Sequence, residues 1–246
     1  MADLRPAFYA LRPGGWRDLV TVLHPPYTAW HLSYVAIGAA AAPQVHADRL
    51  LAALAAFFLA VGVSAHALDE LNGRPLGTGL SDRALIVLAA LGLAGATAIG
   101  VAGLFLVSAT LAPLVAAGAF LVVAYNLELF GGRLHTDFWF AAAWGAFPAL
   151  TGWWSNALGV DGPWEALAAA GAVLGCFWLS VAQRRLSTPV RELRRRTVSV
   201  GGEQRLADGT VRPLSAETLI APLDGVLRAL SAAVPLLAAG LVAVRL

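Results

Sequence analysis

The chain has 246 residues, of which 59% are hydrophobic and 13% are charged, and its mean hydropathy is +0.71. Soluble domains carry about 25% charged residues, so this composition excludes an ordinary soluble domain, a disordered chain and a secreted disulfide scaffold, and it indicates a polytopic membrane protein. All 17 basic residues are arginine, which excludes Schiff-base and P-loop chemistry because both need a lysine.

Apolar runs of about 20 residues, the length that crosses a bilayer, recur along the chain. They predict seven spanning helices, over residues 27–43, 49–70, 82–107, 109–130, 136–156, 163–183 and 217–245. The uncharged stretch 84–127 is divided near Ser108, because Pro113 fits the first turn of a new helix. The predicted fold class is therefore an all-α polytopic transmembrane helical bundle, forming one domain over residues 1–246.

The arginines are distributed unequally between the two sides of this bundle. With the N-terminus in the cytoplasm, fourteen of the 17 lie in cytoplasmic segments, Arg49 and Arg245 lie on the other side, and Arg228 lies in the last helix. The positive-inside rule then predicts a cytoplasmic N-terminus, and we expect a bacterial inner (plasma) membrane. The polar segment 184–216 is predicted as a cytoplasmic loop, and its alternating residues around Asp208-Gly209 predict a β-hairpin.

The second predicted helix ends in a group of polar residues. His66, Asp69 and Glu70 fall at positions i, i+3 and i+4, which places them on one face as candidate metal ligands, with Asp69 and Glu70 as candidate catalytic residues. Carboxylates of this kind suit Mg²⁺. Asn72 and Arg74 follow as candidate substrate ligands, since an arginine fork binds phosphate. The alternative is that these side chains pair with one another where the helix meets water.

Two further helix ends carry candidate substrate-binding residues. Tyr125, Asn126 and Arg133 follow the fourth helix, and Gln183 and Arg184 follow the sixth. An interfacial aromatic and topology-setting charges are the alternatives for these positions. If the three helix ends converge, they form a polar mouth over an apolar bundle, which suits an amphiphile with an anionic head and a hydrocarbon tail.

The same three regions resemble the UbiA superfamily of intramembrane prenyltransferases. The stretch SAHALDELNGRPLGTG is similar to the family's first Asp-rich motif with its Asn-Arg-Pro ending, although Asp69 is its one aspartate in that register and Gly73 is inserted. A tyrosine followed by basic residues, Tyr125 to Arg133, and the opening HPPYTAWHLSYVAIGAAAA also resemble the family. The chain departs from it in having seven predicted helices rather than nine and no Asp-rich motif after the sixth.

The resemblance implies an enzyme that uses an isoprenyl diphosphate, either transferring the chain to a lipid-soluble acceptor or cyclising it as a terpene cyclase does. In that case His66, Asp69 and Glu70 would hold Mg²⁺, and Arg74, Arg133 and Arg184 would contact the diphosphate. Because the second Asp-rich motif is absent, the alternative is a non-catalytic lipid- or quinone-binding subunit of a membrane complex. A membrane is the expected environment in both cases, and no nucleic-acid partner is expected.

Overall fold

A computed structural model describes residues 5–246, which form eight helices and one two-stranded sheet. The helices are α1 (Trp16–Val22), α2 (Pro25–Ala41), α3 (Ala47–Leu71), α4 (Asp82–Leu106), α5 (Ala109–Asn126), α6 (137–157), α7 (Pro163–Arg195) and α8 (Ala216–Ala243). The strands β1 (Glu203–Arg205) and β2 (Val211–Pro213) lie between α7 and α8. Every apolar run singled out in the sequence is helical.

Within residues 5–246, five helices are long and apolar enough to cross a membrane: α3, α4, α5, α7 and α8. The protein is therefore an integral membrane protein with a helical bundle. Of the other two predicted spans, α2 has 17 residues and α6 is built from three shorter helical stretches. The boundary between α4 and α5 lies at the predicted place, where the Ser108 hydroxyl accepts a hydrogen bond from the Thr110 amide at 3.2 Å.

Helix α7 corrects one predicted boundary. The sequence places residues 184–195 in a cytoplasmic loop, but the helix continues through them to Arg195. Gln183, Ser187 and Val190 are buried at spacings of four and three residues, so one face of this extension packs against the bundle. Arginine is a good helix former, which favours the extension. The polar loop begins only at residue 196.

The β-hairpin lies in that loop. Strands β1 and β2 pair antiparallel with Glu203 opposite Pro213, and Gly209 takes a φ of 86° in the turn between them. Both strands are exposed on every residue. The hairpin therefore contributes no side chain to the core of the bundle.

Helix α2 runs through the centre of the bundle, where Trp30, Tyr34 and Val35 are fully buried. It crosses α6 so closely that a Cβ on Gly38 would lie 1.9 Å from the carbonyl oxygen of Ala149. A Cβ on Gly152 of α6 would lie 2.0 Å from the carbonyl oxygen of Val35. Glycine is required at both positions because only a hydrogen fits between the two backbones.

Two helices widen into π-helical turns, α3 over Phe58–Ala65 and α6 over Ala142–Ala146. Such turns free backbone carbonyls and are frequent at functional sites. Here the carbonyl oxygen of Trp144 accepts a hydrogen bond from Nδ1 of the buried His31 at 2.7 Å. Both turns border the cavities described below.

Residues 5–15, named here the N-terminal strap, fold back across the ends of α7 and α8. The guanidinium of Arg194 donates to the carbonyl oxygen of Arg5 at 2.6 Å, and that of Arg228 lies over the Phe8 ring, 5.2 Å from its centroid. Arg194 also pairs with Asp224 at 2.5 Å. Asp224 therefore pairs with an arginine of another helix rather than with Arg228, four residues later in its own helix.

Candidate functional site

The ends of α3, α5 and α7 converge on a polar cavity of about 960 Å³, counting its open mouth. Six of the sequence-predicted residues line it: His66, Asp69, Tyr125, Asn126, Gln183 and Arg184. Consecutive helices run in opposite directions, so every second helix ends on the same side of the bundle. This alternation brings together residues that are more than a hundred positions apart in the chain.

One wall of the polar cavity is built from histidines and tyrosines. His24 and His66 stack with their ring centroids 4.0 Å apart, and the Tyr9 hydroxyl forms a 2.8 Å hydrogen bond with Nδ1 of His24. Burial, and after it the nearby charges of His66 and Arg195, hold the pKa of His24 well below its usual value of 6.5. Burial likewise raises the pKa of the Tyr9 phenol. Both groups are therefore neutral near pH 7.

Another part of the cavity wall carries positive charge from Arg184, Arg191 and Arg195 of α7. Arg184 is oriented by Asp137, whose carboxylate accepts from its Nε at 2.8 Å, and by the Phe140 ring beneath its guanidinium. The sequence predicts Arg184 alone as a ligand here. Arg191 and Arg195 reach the cavity because α7 continues past its predicted end.

Arg191 and Arg195 make only neutral contacts in the part of the chain that the structure describes. Arg191 donates to the Thr188 hydroxyl at 3.3 Å, and Nε of Arg195 donates to the carbonyl oxygen of Pro6 at 3.4 Å. Each guanidinium has five N–H donors in a planar fork. Most of these donors remain free to bind an anion that enters the cavity.

Two carboxylates, Asp69 and Asp224, line the polar cavity. Asp224 is neutralised by Arg194, and both side chains of that pair are 8% exposed. Asp69 forms no ion pair with any residue in the range 5–246, and it lies within the electrostatic influence of Arg191 and Arg195. Positive charge therefore exceeds negative charge around the cavity.

Several buried polar atoms around the cavity lack a hydrogen-bond partner among the described residues. They are Nε2 of His24, the hydroxyl of Tyr125, Oε1 of Gln183 and Oδ1 of Asp224. More than 90% of buried backbone polar groups and most buried side-chain polar atoms in proteins are hydrogen-bonded. Four such atoms around one cavity indicate that a polar ligand or ordered water completes the site.

Glu70, predicted as a catalytic residue and metal ligand, is turned away from the cavity. Its carboxylate is fully buried and accepts hydrogen bonds from the amide of Leu76 at 2.9 Å and from the amide and hydroxyl of Thr78 at 2.8 and 2.9 Å. Adjacent residues of a helix point about 100° apart, so Asp69 lines the cavity while Glu70 faces the loop. Glu70 holds the loop between α3 and α4.

Three predicted substrate ligands also lie outside the cavity. The Asn72 amide donates to the carbonyl oxygen of Asn126 at 3.3 Å and ties the end of α3 to the end of α5. Arg74 pairs with Asp82 and donates to the carbonyl oxygen of Leu80, closing the loop that Glu70 holds. Arg133 is exposed in the loop after α5. Asn72 and Arg74, which the sequence predicts as substrate ligands, are thus engaged in contacts within the protein.

The donor set does not fit the predicted metal site. Among residues 5–246, no three His, Cys, Asp or Glu side chains come together as a group that could hold a metal ion. Glu70 faces the loop, and Asp69 is the single unpaired carboxylate of the described cavity wall. Mg²⁺ can be held by one or two carboxylates together with water and substrate phosphates, but the predicted set of His66, Asp69 and Glu70 is not brought together around one point.

A second cavity, apolar and of about 970 Å³, lies between α3, α4, α5 and α6. Val61 and Trp144 line both cavities, so a single layer of side chains separates the two spaces. At the far end of the apolar cavity lies Arg49, which donates to the carbonyl oxygen of Ser155 at 3.4 Å. The pair of cavities offers adjoining space for a charged head and a hydrocarbon chain.

No protein-family model, curated protein or solved structure matches this chain. The resemblance to the UbiA superfamily therefore rests on the residues quoted from the sequence and stays a prediction.

Proposed function

We propose that the protein is a divergent UbiA-like intramembrane enzyme that uses an isoprenyl diphosphate and transfers its chain to a lipid-soluble acceptor. The observation that carries this proposal is the adjacency of the two cavities, with three arginines in the polar one and an almost wholly apolar lining in the other. A diphosphate head matches the arginines and a prenyl chain matches the apolar lining. Val61 and Trp144 lie between the two cavities and line both.

The proposal includes a topology. We place all seven helices from α2 to α8 across a bacterial inner membrane, with the arginine-rich ends of α3, α5 and α7 in the cytoplasm. The excess of arginine at these ends supports this orientation through the positive-inside rule. The polar cavity then opens to the compartment in which soluble diphosphates are made.

In the proposed reaction, the bond between C1 of the prenyl chain and the diphosphate oxygen breaks, and the diphosphate leaves with the electron pair. The acceptor forms a bond to C1 and releases a proton. Arg184, Arg191 and Arg195 stabilise the negative charge that develops on the leaving group. The carboxylate of Asp69 accepts the proton, and the apolar cavity keeps water from the reactive carbon.

The test is turnover by the purified protein in lipid nanodiscs, with radiolabelled prenyl diphosphates and a total lipid extract. We expect a labelled lipid product that is lost in Asp69→Asn and retained in Asp48→Asn, since Asp48 is exposed at the other end of α3. Full activity in Asp69→Asn would overturn the role of Asp69. Absence of any product with every chain length would overturn the enzymatic proposal.

The second candidate is a non-catalytic lipid- or quinone-binding subunit of a membrane complex. The single unpaired carboxylate of the described wall favours it, as does the Tyr125 hydroxyl, which has no partner within residues 5–246 and can donate to a quinone carbonyl. A neutral quinone that copurifies with the protein, together with partner subunits and no turnover, would select this function over the enzyme.

A further inference from the structure

We propose that the polar cavity binds its phosphate-ester head through arginines alone, without a divalent cation. This inference rests on the proposed function and specifies how its substrate is recognised. Metal-bridged binding of a diphosphate usually uses one or two protein carboxylates in addition to the phosphate oxygens. The described wall of the polar cavity instead carries three guanidinium groups and one unpaired carboxylate.

The carboxylates near the polar cavity are almost all occupied. Glu70 accepts three hydrogen bonds from the loop between α3 and α4, Asp137 accepts from Arg184, and Asp224 pairs with Arg194. Asp69 alone faces the cavity without a cationic partner in the described chain. Mg²⁺ on a substrate phosphate is usually held by one or two protein carboxylates, and the described wall offers such an ion Asp69 alone, beside three guanidinium groups that bind the same phosphate oxygens.

The cations, by contrast, lie together, and two of the three make no ion pair within residues 5–246, whereas Arg184 pairs with Asp137. Arg184, Arg191 and Arg195 project from one helix at spacings of seven and four residues, about two turns and one turn, which places them on one face. Within residues 5–246, Arg191 and Arg195 hydrogen-bond only a hydroxyl and a carbonyl oxygen. A diphosphate ester carries two to three negative charges, which these three guanidinium groups neutralise with bidentate hydrogen bonds.

The neutral donors beside the arginines complete the set. The Tyr125 hydroxyl is buried without a partner in the range 5–246, and Tyr125 is 5% exposed. Its O–H can donate to a phosphate oxygen. Nε2 of His24 is likewise buried and unpartnered, and it accepts or donates according to the tautomer. Phosphate oxygens accept hydrogen bonds, so a donor-rich and carboxylate-poor wall favours the naked anion over its magnesium complex.

The experiment measures binding rather than turnover. The probe is farnesyl thiolodiphosphate, a slowly reacting analogue, titrated calorimetrically into the nanodisc-embedded protein in EDTA and in Mg²⁺. We expect dissociation constants that agree within about threefold in the two buffers. We also expect Arg191→Gln and Arg195→Gln to weaken binding in EDTA by about tenfold each, or about 1.4 kcal/mol. Arg185→Gln is the matched control, because Arg185 is exposed on the same helix.

The outcomes separate the two proposals. Binding that appears only with Mg²⁺ would overturn arginine-only recognition and leave the proposed function standing. Absence of binding in both buffers would overturn the proposed function itself. Unchanged affinity in both arginine variants, with unfolding temperatures equal to that of the wild type, would also overturn the inference. Inorganic phosphate as competitor tests whether the head alone is recognised.

Discussion

The imidazole rings of His24 and His66 stack with a centroid separation of 4.0 Å and an angle of 9° between their planes. His24 lies between α1 and α2, and His66 lies in α3 just after its π-helical turn. The stack therefore joins the entrance of the bundle to the helix that carries Asp69. Tyr9 of the N-terminal strap extends it by its hydrogen bond to His24.

This stack predicts a loss of stability in acid. Burial holds the pKa of folded His24 below its unfolded value of 6.5, so below that pH the unfolded chain binds a proton that the folded protein resists. Stability is then fully present above pH 6.5 and falls as the pH drops below it. The charges of His66, Arg195, Arg191 and His31 act in the same direction.

Thermal unfolding between pH 7.5 and pH 5 measures this effect. The unfolding temperature of the wild type should fall as the pH is lowered from 7.5 to 5. That of His24→Gln should fall less, because the glutamine side chain does not titrate. An equal loss in both proteins would show that other groups dominate the pH dependence.

Glu70→Gln should lower the free energy of unfolding without weakening ligand binding. The variant keeps one carbonyl oxygen but replaces the other acceptor with an amide donor that faces a backbone N–H. Hydrogen bonds to charged groups contribute about 1.5–3 kcal/mol each, so a loss of about this size is expected. Unfolding in detergent measures it, and Glu192→Gln on the exposed face of α7 is the control. A selective loss of ligand binding with unchanged stability would restore Glu70 to the site.

Gly38→Ala should disrupt the crossing of α2 and α6. The added Cβ would overlap the Ala149 carbonyl oxygen, and the two backbones would have to separate. Overpacking of this kind is destabilising by about 1–3 kcal/mol or more. Gly171→Ala in α7 is the control, since nothing lies within 4 Å of its added Cβ, and it should be neutral or stabilising. Equal yields of monodisperse protein from both variants would contradict the close crossing.

Gln183→Leu should act in opposite directions on stability and binding. Its Oε1 is buried without a partner in the described chain, and the residue is 2% exposed. Removing an unsatisfied buried group of this kind gains about 1–3 kcal/mol. The ligand-free protein should therefore unfold at a higher temperature, while the stabilisation produced by a bound prenyl diphosphate becomes smaller. If the unfolding temperature of the ligand-free protein and the stabilisation by the ligand both fall, Gln183 has a structural role only.

The buried pair of Arg194 and Asp224 should be strongly coupled. Breaking a buried ion pair from one side is destabilising by about 3–5 kcal/mol, because the remaining charge has no partner. Arg194→Gln and Asp224→Asn should each have an effect of this order, and the double variant should recover much of it. Additive losses measured in the double variant would show that the two side chains act independently.

Much of the architecture was predictable from the sequence, because uninterrupted apolar runs in a bilayer protein have few alternatives to helices. The convergence of Asp69, Tyr125 and Gln183 followed from the alternating direction of successive helices. Helix α1 and the strap were not predicted. Their few apolar residues give no periodic pattern, and their positions depend on contacts such as that of Arg194 with Arg5, 189 residues away.

The differences between the expected and the observed surroundings of the site residues have a common physical origin. The charge of Glu70 and Arg74 predicts that they bind a ligand, but the loop after α3 uses both: its amides donate to Glu70, and Arg74 donates to the Leu80 carbonyl oxygen and pairs with Asp82. Arg191 and Arg195 were assigned to a loop because the apolar run ends before them, whereas a one-sided pattern of buried residues continues the helix. Whether Asp69 or Glu70 faces the cavity depends on the rotation of the helix and on the elements packed around it. The residue composition of the segment does not contain this information.

Photocrosslinking with a prenyl diphosphate that carries a benzophenone at the end of its chain tests the central claim most directly. The account predicts that the adducts, mapped by mass spectrometry, lie on residues that line the apolar cavity, such as Leu93, Leu121 and Phe147, and that excess unlabelled ligand abolishes them. Adducts confined to outward-facing side chains such as Trp178, which is 65% exposed, would contradict it.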